Sequence, residues 1–326
     1  MIIKQTHTIP TSLSHVPYIA SFTEDHPKVF SIIHKTNYSY SSPVSFSKHL
    51  FRLQPENDIS QNILSYKLSC SSKTGSVCNF TGAFGNHASF LEIKEPYKEL
   101  SIVSESLVSV SLLPKNMQLL HQPRTMPLIW MPWDRIMMQA YLQAPELPEA
   151  ELFALAEYAM SFVDKNHHDV FEVLKDINQT IYREFTYDSG SSTLFTTPFD
   201  VFLHRKGVCQ DFANLFICLA RLLGIAARYR VGYIYTGGDY ENKLQSDASH
   251  AWVEVYLPYL GWLGFDPTNG CLVEKNHIRV ASGRSFMDAT PTSGTIFEAP
   301  EGTKETMTTS VQVILLDSEE NPPKKL

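Results

Sequence analysis

The chain has 326 residues, of which 43% are hydrophobic and 19% charged, and its formal net charge is −7. This length suits two domains of ordinary size, and the composition is that of a soluble globular protein. The acidic balance argues against a nucleic acid or an anionic membrane as partner, because both bind basic surfaces. The 5 cysteines are too few and too scattered for a disulfide scaffold, and no Cys-x-x-Cys pair is present for zinc.

Targeting segments are not recognisable in the sequence. The longest apolar run, residues 215–227, is interrupted by Arg221 and followed by Arg228, so it does not read as a transmembrane helix. The first 25 residues lack the continuous apolar segment of a signal peptide. We therefore expect a cytoplasmic protein with reduced cysteines.

The first half of the chain has the pattern of a β protein. Residues 1–27 are polar and aperiodic, which predicts a loosely held arm. Residues 28–115 then alternate β-branched and aromatic runs with turn residues, which predicts an antiparallel β-sandwich domain. The predicted strands are 29–40, 46–54, 62–72, 88–94 and 99–112. In the last strand a single face carries Leu100, Ile102, Val108, Val110 and Leu112.

A connector rich in proline and tryptophan, residues 116–148, leads to a region with helical periodicity. Helices are predicted over about 149–163 and 168–185. Thr197, Pro198 and Asp200 have the order of an N-cap, a first-turn proline and an acidic third residue, which predicts a short helix. Further strands are predicted at 226–235, 250–257, 262–266 and 307–316. We expect an α+β domain over 149–318 and a tail over 319–326.

Cys209 lies between Gly207 and the first turn of another predicted helix, which ends near Gly224. A helix N-terminus carries a positive partial charge and unpaired N–H groups, so it lowers the pKa of a thiol and can stabilise an oxyanion. A single cysteine is nevertheless more often a packing residue than a nucleophile. The hypothesis therefore needs a base and a group that orients it.

His250 and Asp266 are the candidates for those two roles. The histidine opens one predicted strand and the aspartate closes the next, so a hairpin would bring them to one edge of a sheet. A three-residue turn at 258–260 would place Asp266 opposite Trp252 and diagonal to His250, on the same face. A four-residue turn would place Asp266 on the other face unless a bulge corrected it. The register of this hairpin therefore tests the triad.

These segments resemble the bacterial transglutaminase-like superfamily. The matching motifs are Gly207-Val-Cys-Gln-Asp-Phe-Ala213, Arg228-Tyr229, Ser249-His-Ala-Trp-Val-Glu254 and Gly261–Asn269, and the earlier part contributes Tyr38, Tyr40, Pro43, residues 53–55, Gln61 and Gly85-Asn86. The likeness extends from about residue 29 to 290. It implies a papain-like, transglutaminase-core domain in which a helix packs on an antiparallel sheet. It also implies that Cys209 is the nucleophile, His250 the general base and acid, and Asp266 the orienting carboxylate.

One motif departs from the family. Relatives commonly have Gly-Arg-Asp-Tyr where this chain has Gly283-Arg-Ser-Phe286, so a contact beside the site is expected to differ. No loop has the carboxylate spacing of a calcium site, and we predict no metal and no cofactor.

Three further residues are candidates for the oxyanion or substrate side of the site. Tyr187 could donate a hydrogen bond to an oxyanion, although a role in the core is the more common one. Gln210 either points into the cleft or faces solvent, and Trp252 either walls the cleft or fills the core. Arg228 and Glu254 form a candidate structural ion pair.

The remaining cysteines and a histidine pair are interpreted as structural. Cys218 follows Cys209 on the opposite helix face and is expected in the core. Cys70 and Cys78 could approach across strands but are expected to be free thiols. No role is assigned to Cys271, and His167-His168 is read as a solvated pair rather than a metal site.

The sequence favours a cysteine hydrolase or acyltransferase that acts on amide or peptide bonds through an acyl-thioester. Water as acceptor would give peptidase or amidase chemistry, and an amine would give transglutaminase-type transfer. Hydrolysis is favoured, because water is always present and nothing marks an amine site. The alternative is a papain-like fold retained as a protein-interaction module. The oligomeric state is left open.

Overall fold

A computed structural model describes residues 26–72, 75–111, 125–237, 248–258 and 260–316. The predicted tail, nearly all of the predicted arm, Leu112 and part of the connector lie outside these residues. Among the described residues, no helix combines the length and the apolar character needed to cross a bilayer.

Two four-stranded antiparallel sheets form the predicted β-sandwich. In strand order, the first sheet contains β15 (Glu305–Leu316), β1 (Lys28–Val44), β6 (Tyr97–Val110) and β3 (Gln61–Cys70). The second contains β14 (Thr292–Glu298), β2 (Phe46–Phe51), β5 (His87–Ile93) and β4 (Ser76–Thr81). The predicted apolar face of β6 is confirmed, since Leu100, Ile102, Val108 and Val110 are all buried.

The last two strands of the chain belong to this sandwich. β14 pairs with β2, and β15 pairs with β1 along twelve residue pairs. The expected domain over 149–318 includes both strands, yet their hydrogen-bonded neighbours lie in the first hundred residues. A division that follows the sheets would assign residues 292–316 to the sandwich.

A separate five-stranded antiparallel sheet carries the residues of interest. Its strand order is β12 (Cys271–Leu272), β11 (Gly261–Asp266), β10 (His250–Leu257), β9 (Ala226–Ile234) and β13 (His277–Gly283). Nearly every residue of β9 and β10 is buried, and the apolar residues of both strands share one core with those of the helices and of β1 and β6. Two short strands that precede this sheet in the chain, β7 (Thr186–Tyr187) and β8 (Lys206–Gly207), form a separate parallel pair.

The predicted helices are present. They are α3 (Glu149–Lys165), α4 (Val170–Glu184), α5 (Pro198–His204) and α6 (Cys209–Leu222). Thr197 caps α5 as expected, since its hydroxyl accepts the Asp200 N–H while Asp200 accepts the Thr197 N–H. Three short helices were not predicted, namely α1 (Pro132–Met137), α2 (Gln139–Leu142) and α7 (Phe286–Ala289).

Polar side chains of the sandwich bind the backbone of β13. The Gln61 amide donates to the Arg279 carbonyl at 2.8 Å and accepts the Arg279 N–H at 2.8 Å. Asn86 makes the same pair of bonds with Ser282, at 2.7 and 2.8 Å. Both side chains are buried, so the sandwich holds this edge strand in place without water.

Candidate active site

The local sequence places the Cys209 thiol at the start of a helix. Val208 is extended and Cys209 is the first helical residue, where it is half-buried. Asp211 Oδ2 accepts the Val208 N–H at 2.8 Å and so satisfies one of the open donors at this helix end. A Cβ on Gly207 would lie 2.8 Å from the Cβ of Asp211, so the turn before Cys209 requires glycine.

The hairpin formed by β10 and β11 has the predicted register. Val253 pairs with Phe265 and Leu257 pairs with Gly261, which leaves the predicted three-residue connection at 258–260. The continuation of this register sets Asp266 opposite Trp252. His250 Nε2 donates to Asp266 Oδ2 at 2.7 Å, and both side chains are fully buried.

The other nitrogen of the His250 ring is available to the thiol. Nδ1 has no hydrogen-bond partner within ordinary limits among the described residues. The Cys209 thiol is nevertheless close enough to interact with the ring. Burial alone would lower the pKa of His250, but the Asp266 carboxylate and the neighbouring Cys209 raise it to about 10. The structure therefore brings Cys209, His250 and Asp266 together and favours a charged imidazole between the other two groups.

Asp266 is held by more groups than the triad requires. Its Oδ1 accepts the backbone N–H groups of Thr268 and Asn269 at 3.0 and 3.2 Å. Its Oδ2 also accepts from Asn269 Nδ2 at 2.7 Å and from His277 Nε2 at 3.1 Å. Burial alone would raise the pKa of Asp266, but His250 and His277 hold it well below its usual range.

Asn269 and His277 were not assigned a role from the sequence. Asn269 lies in the matched motif, and its spacing from Asp266 is that of a turn in which an aspartate accepts N–H groups two and three residues ahead. That spacing was a usable signal. His277 had none, because it belongs to β13, which contacts the site only through the tertiary fold.

His250, Asp266 and His277 are the described residues whose ligand atoms lie close enough, within 4.8 Å of one another, to hold a metal ion. The three groups are instead hydrogen-bonded to each other. Both imidazoles would have to give up an Nε2 proton to bind a metal there. The arrangement fits a carboxylate held by two hydrogen-bond donors better than a metal site.

The three candidates for the oxyanion or substrate side have different surroundings. Tyr187 is half-buried and its hydroxyl interacts with Cys209; burial and the nearby Cys209 and Asp211 raise the pKa of Tyr187. Gln210 is half-buried in the first turn of α6. Trp252 is fully buried, with its ring centroid 6.1 Å from that of His250 and 5.3 Å from that of His277. Its burial favours the core role.

The ion pair expected between Arg228 and Glu254 is confirmed and extends further. Arg228 Nη2 lies 2.6 Å from Glu254 Oε2, and Arg230 Nε lies 2.8 Å from the same oxygen. Arg230 also binds Glu56 in the sandwich. Burial alone would raise the pKa of Glu254, but Arg230 and Arg228 lower it to about 2.

The structure agrees with the structural roles expected for Cys70, Cys78 and Cys218 and with the exposure expected for the histidine pair. Cys218 is buried, and burial raises the pKa of its thiol to about 12. Cys70 and Cys78 are free thiols. Cys271 lies opposite Asp266 in the sheet. His167 and His168 are exposed.

The departure at residues 283–286 lies near the site. Arg284 forms an ion pair with Asp288 at 2.8 Å. The Phe286 ring packs against Tyr229, with ring centroids 6.2 Å apart. Cys209 in turn contributes to raising the pKa of Tyr229, after burial. Phe286 therefore packs against Tyr229, which lies near the thiol.

Comparison with known proteins places this site in a family. Residues 156–267 match the transglutaminase-like superfamily, and residues 30–109 match the bacterial transglutaminase-like N-terminal region. An uncharacterized protein of Mycobacterium tuberculosis is 34% identical over 292 residues, which are 83% of this chain and 88% of that protein.

Two other similarities are informative about fold and local sequence. A solved structure from Cytophaga hutchinsonii, titled a "Putative Cysteine Protease", superposes with a TM-score of 0.71 at 24% identity, over 91% of this chain and 93% of that chain. A protein-glutamine gamma-glutamyltransferase of Pseudomonas aeruginosa is 41% identical over 68 residues, which are 20% of this chain and 10% of that protein. The chain belongs to the transglutaminase-like superfamily and carries its bacterial N-terminal region.

Proposed function

We propose that this protein is a cysteine-nucleophile enzyme that cleaves amide or peptide bonds through an acyl-thioester. The observation that carries the proposal is the position of His250, which interacts with Cys209 on one side and bonds Asp266 at 2.7 Å on the other. A nucleophile, a base and a group that orients the base are the parts that such chemistry needs.

The steps follow from these positions. The Cys209 thiolate attacks the substrate carbonyl carbon, and the C–N bond breaks as His250 gives its proton to the leaving amine. The acyl group is then a thioester on Cys209. His250 takes a proton from the incoming water as the water attacks the thioester, which releases the acid and restores the Cys209 thiolate beside a protonated His250. Asp266 keeps the ring oriented throughout, and N–H groups at the start of α6 are placed to bind the oxyanion.

Hydrolysis is the favoured outcome, because water needs no dedicated site. An amine acceptor would give transglutaminase-type transfer through the same thioester. The local likeness to the Pseudomonas gamma-glutamyltransferase supports keeping transfer as the second candidate. The substrate class is therefore an amide or peptide, with the acceptor to be identified by experiment.

The competing proposal is a protein-interaction module that keeps the fold but has no catalytic activity. It would be favoured by a His250 buried away from the thiol. His250 is buried, with 0% of its surface exposed, but it interacts with Cys209, and Cys209 itself is only half-buried. These contacts support the enzyme over the module.

The proposal extends to partners, location and domains. The net charge of −7 supports a protein without nucleic-acid or membrane partners, and we propose a cytoplasmic location. We propose a division into a β-sandwich and a transglutaminase-like catalytic domain, with β14 and β15 assigned by their sheet partners to the sandwich.

The test compares wild-type protein with Cys209→Ala and with Cys78→Ala, which removes an exposed thiol in the sandwich. Peptide and amide libraries are supplied at neutral pH, with and without an added primary amine, and products are identified by mass spectrometry. We expect Cys209→Ala to lose cleavage by about 10³-fold or more, and Cys78→Ala to keep it. Incorporation of the amine would identify transfer. Full activity in Cys209→Ala, with Cys209 alkylated no faster than Cys78, would refute the enzyme.

A further inference from the structure

His277 is a fully enclosed histidine that the proposed mechanism does not use. It is 1% exposed and is the first residue of β13, an edge strand of the catalytic sheet. Its Nε2 lies 3.1 Å from Asp266 Oδ2, the oxygen that also accepts from His250. Its ring packs edge-on against Trp252, which in turn packs beside His250.

The hydrogen bonds of His277 identify its tautomer. The backbone N–H of Glu274 donates to His277 Nδ1 at 3.4 Å, which requires a lone pair on that nitrogen. Nε2 therefore carries the N–H that donates to Asp266. His277 acts here as a fixed donor and has no direct path to Cys209.

Three side chains donate hydrogen bonds to Asp266 Oδ2, and the three bonds have different roles. The His250 bond orients the ring whose charge changes during catalysis. Those from Asn269 Nδ2, at 2.7 Å, and His277 remain when the His250 ring moves or changes charge. Asn269 restrains Asp266 from within the same turn, whereas His277 restrains it from the opposite edge of the sheet.

The strand that carries His277 is itself held by the sandwich. Gln61 binds both backbone groups of Arg279, and Asn86 binds both backbone groups of Ser282. Between these two points β13 has an irregular register against β9, at residues 279–281. The bonds from the sandwich thus support the strand where its own ladder is interrupted.

We propose that His277 is a positioning residue for Asp266, and that the sandwich acts on the site by holding the strand that carries His277. This inference rests on the proposed function of Cys209, His250 and Asp266. It assigns the N-terminal sandwich a role in maintaining the geometry of the site.

The first test replaces His277 by Gln and by Phe. Glutamine places an amide N–H close to the position of Nε2, whereas phenylalanine fills the space without a donor. We expect His277→Phe to lower kcat by about 10- to 100-fold with KM changed less than about twofold, and His277→Gln to recover most of kcat. Urea unfolding is measured for both variants, and His277→Met replaces the Phe variant if the latter does not fold.

Equal kcat in all variants, or equal loss in the Gln and Phe variants, would overturn the positioning role. Failure of the proposed function gives a different result, since wild-type protein would then show neither cleavage nor preferential alkylation of Cys209 over Cys78.

The second test separates the role of the sandwich from general destabilisation. Gln61→Met removes the bonds to β13, and Leu91→Ala weakens the sandwich core without touching that strand. Both variants are assayed at a temperature where each is folded. We expect Gln61→Met to lower kcat several-fold and Leu91→Ala to leave it unchanged. The same kcat in the two variants would refute action through β13.

Discussion

At the scale of single residues, Asp266 explains most of the site's electrostatics. Five donors reach its two oxygens, three from side chains and two from the backbone. A buried carboxylate is costly unless such partners compensate it. The compensated charge then raises the pKa of His250, which burial alone would lower, to about 10.

Asp266→Asn tests this coupling. The substitution keeps the size of the side chain but removes the negative charge, so the pKa of His250 should fall and its proton should be lost at a lower pH. We expect kcat to fall by about 10³- to 10⁴-fold, as for loss of the orienting carboxylate in a comparable triad. The alkaline limit of amide cleavage, where His250 loses the proton that it gives to the leaving amine, should also move to lower pH.

Asp164→Asn is the matched control, because Asp164 is an exposed aspartate of α3. It should leave both the rate and the pH profile of cleavage unchanged. An Asp266→Asn variant with the wild-type alkaline limit would show that another group sets the charge of His250.

At the scale of elements, strand β9 depends on a glycine beside the site. Gly232 pairs with His250 on one side and with Arg279 on the other. A Cβ at this position would lie 1.9 Å from the Ile278 carbonyl oxygen and 2.7 Å from the Trp252 ring. The absence of a side chain lets Trp252 occupy the space between the two histidines.

Gly232→Ala should therefore destabilise the protein by about 2–4 kcal/mol, because neither the backbone carbonyl nor the buried indole can move freely. The measurement is the midpoint of urea unfolding. Gly82→Ala provides the comparison, since its added Cβ would approach no atom closer than the Asn86 carbonyl oxygen at 3.7 Å. Similar midpoints for the two variants would contradict the packing explanation.

Elements with a regular apolar pattern in the sequence were predictable, and elements without one were not. The strand at 250–257 was predicted with its observed bounds, and the helix after Cys209 ends within two residues of the expected Gly224. β4 and most of β14 expose their side chains, so no alternation marks them. β13 is buried almost throughout and reads as a plain apolar run, which periodicity does not resolve.

At the scale of the whole molecule, two buried histidines couple stability to pH. His34 of β1 bonds Tyr233 of β9 at 3.0 Å and so joins the sandwich to the catalytic sheet. His49 bonds Ser47 and Tyr97 within the sandwich. Burial lowers the pKa of each from 6.5 to about 4.

Stability should consequently fall as the pH is lowered from about 6.5 to 4. In that window the unfolded chain binds protons on these two histidines and the folded chain does not, so each contributes a slope of roughly 1.4 kcal/mol per pH unit. The pKa values of Glu254 and Asp266 are lowered, so these two carboxylates change the pH dependence of stability only at more acid pH. The free energy of unfolding is measured by urea titration at pH 7 and pH 5.

The matched variant is His34→Gln, which retains a polar side chain but does not titrate. Between pH 6.5 and 4, its free energy of unfolding should change less steeply with pH than that of wild type, by the slope that corresponds to about one proton. An unchanged slope would show that His34 is not neutral in the folded protein.

At alkaline pH, the contribution of His250 to stability changes with pH in the opposite direction to those of His34 and His49. Its pKa is raised from 6.5 to about 10, so its contribution to stability is complete below 6.5 and is lost as the pH rises towards 10. Together the three histidines predict greatest stability near neutral pH.

The sequence by itself determined the candidate residues of the triad and the register that sets Asp266 on the same face as His250. Cys209, His250 and Asp266 were identifiable because helix position, strand alternation and turn length are local properties, and the three-residue turn was confirmed. The tertiary structure alone decided that His277 reaches Asp266 and that Gln61 and Asn86 support its strand. It also showed that β14 and β15 pair with strands of the sandwich. Those contacts join segments far apart in the chain, and no local periodicity encodes which distant strands become neighbours.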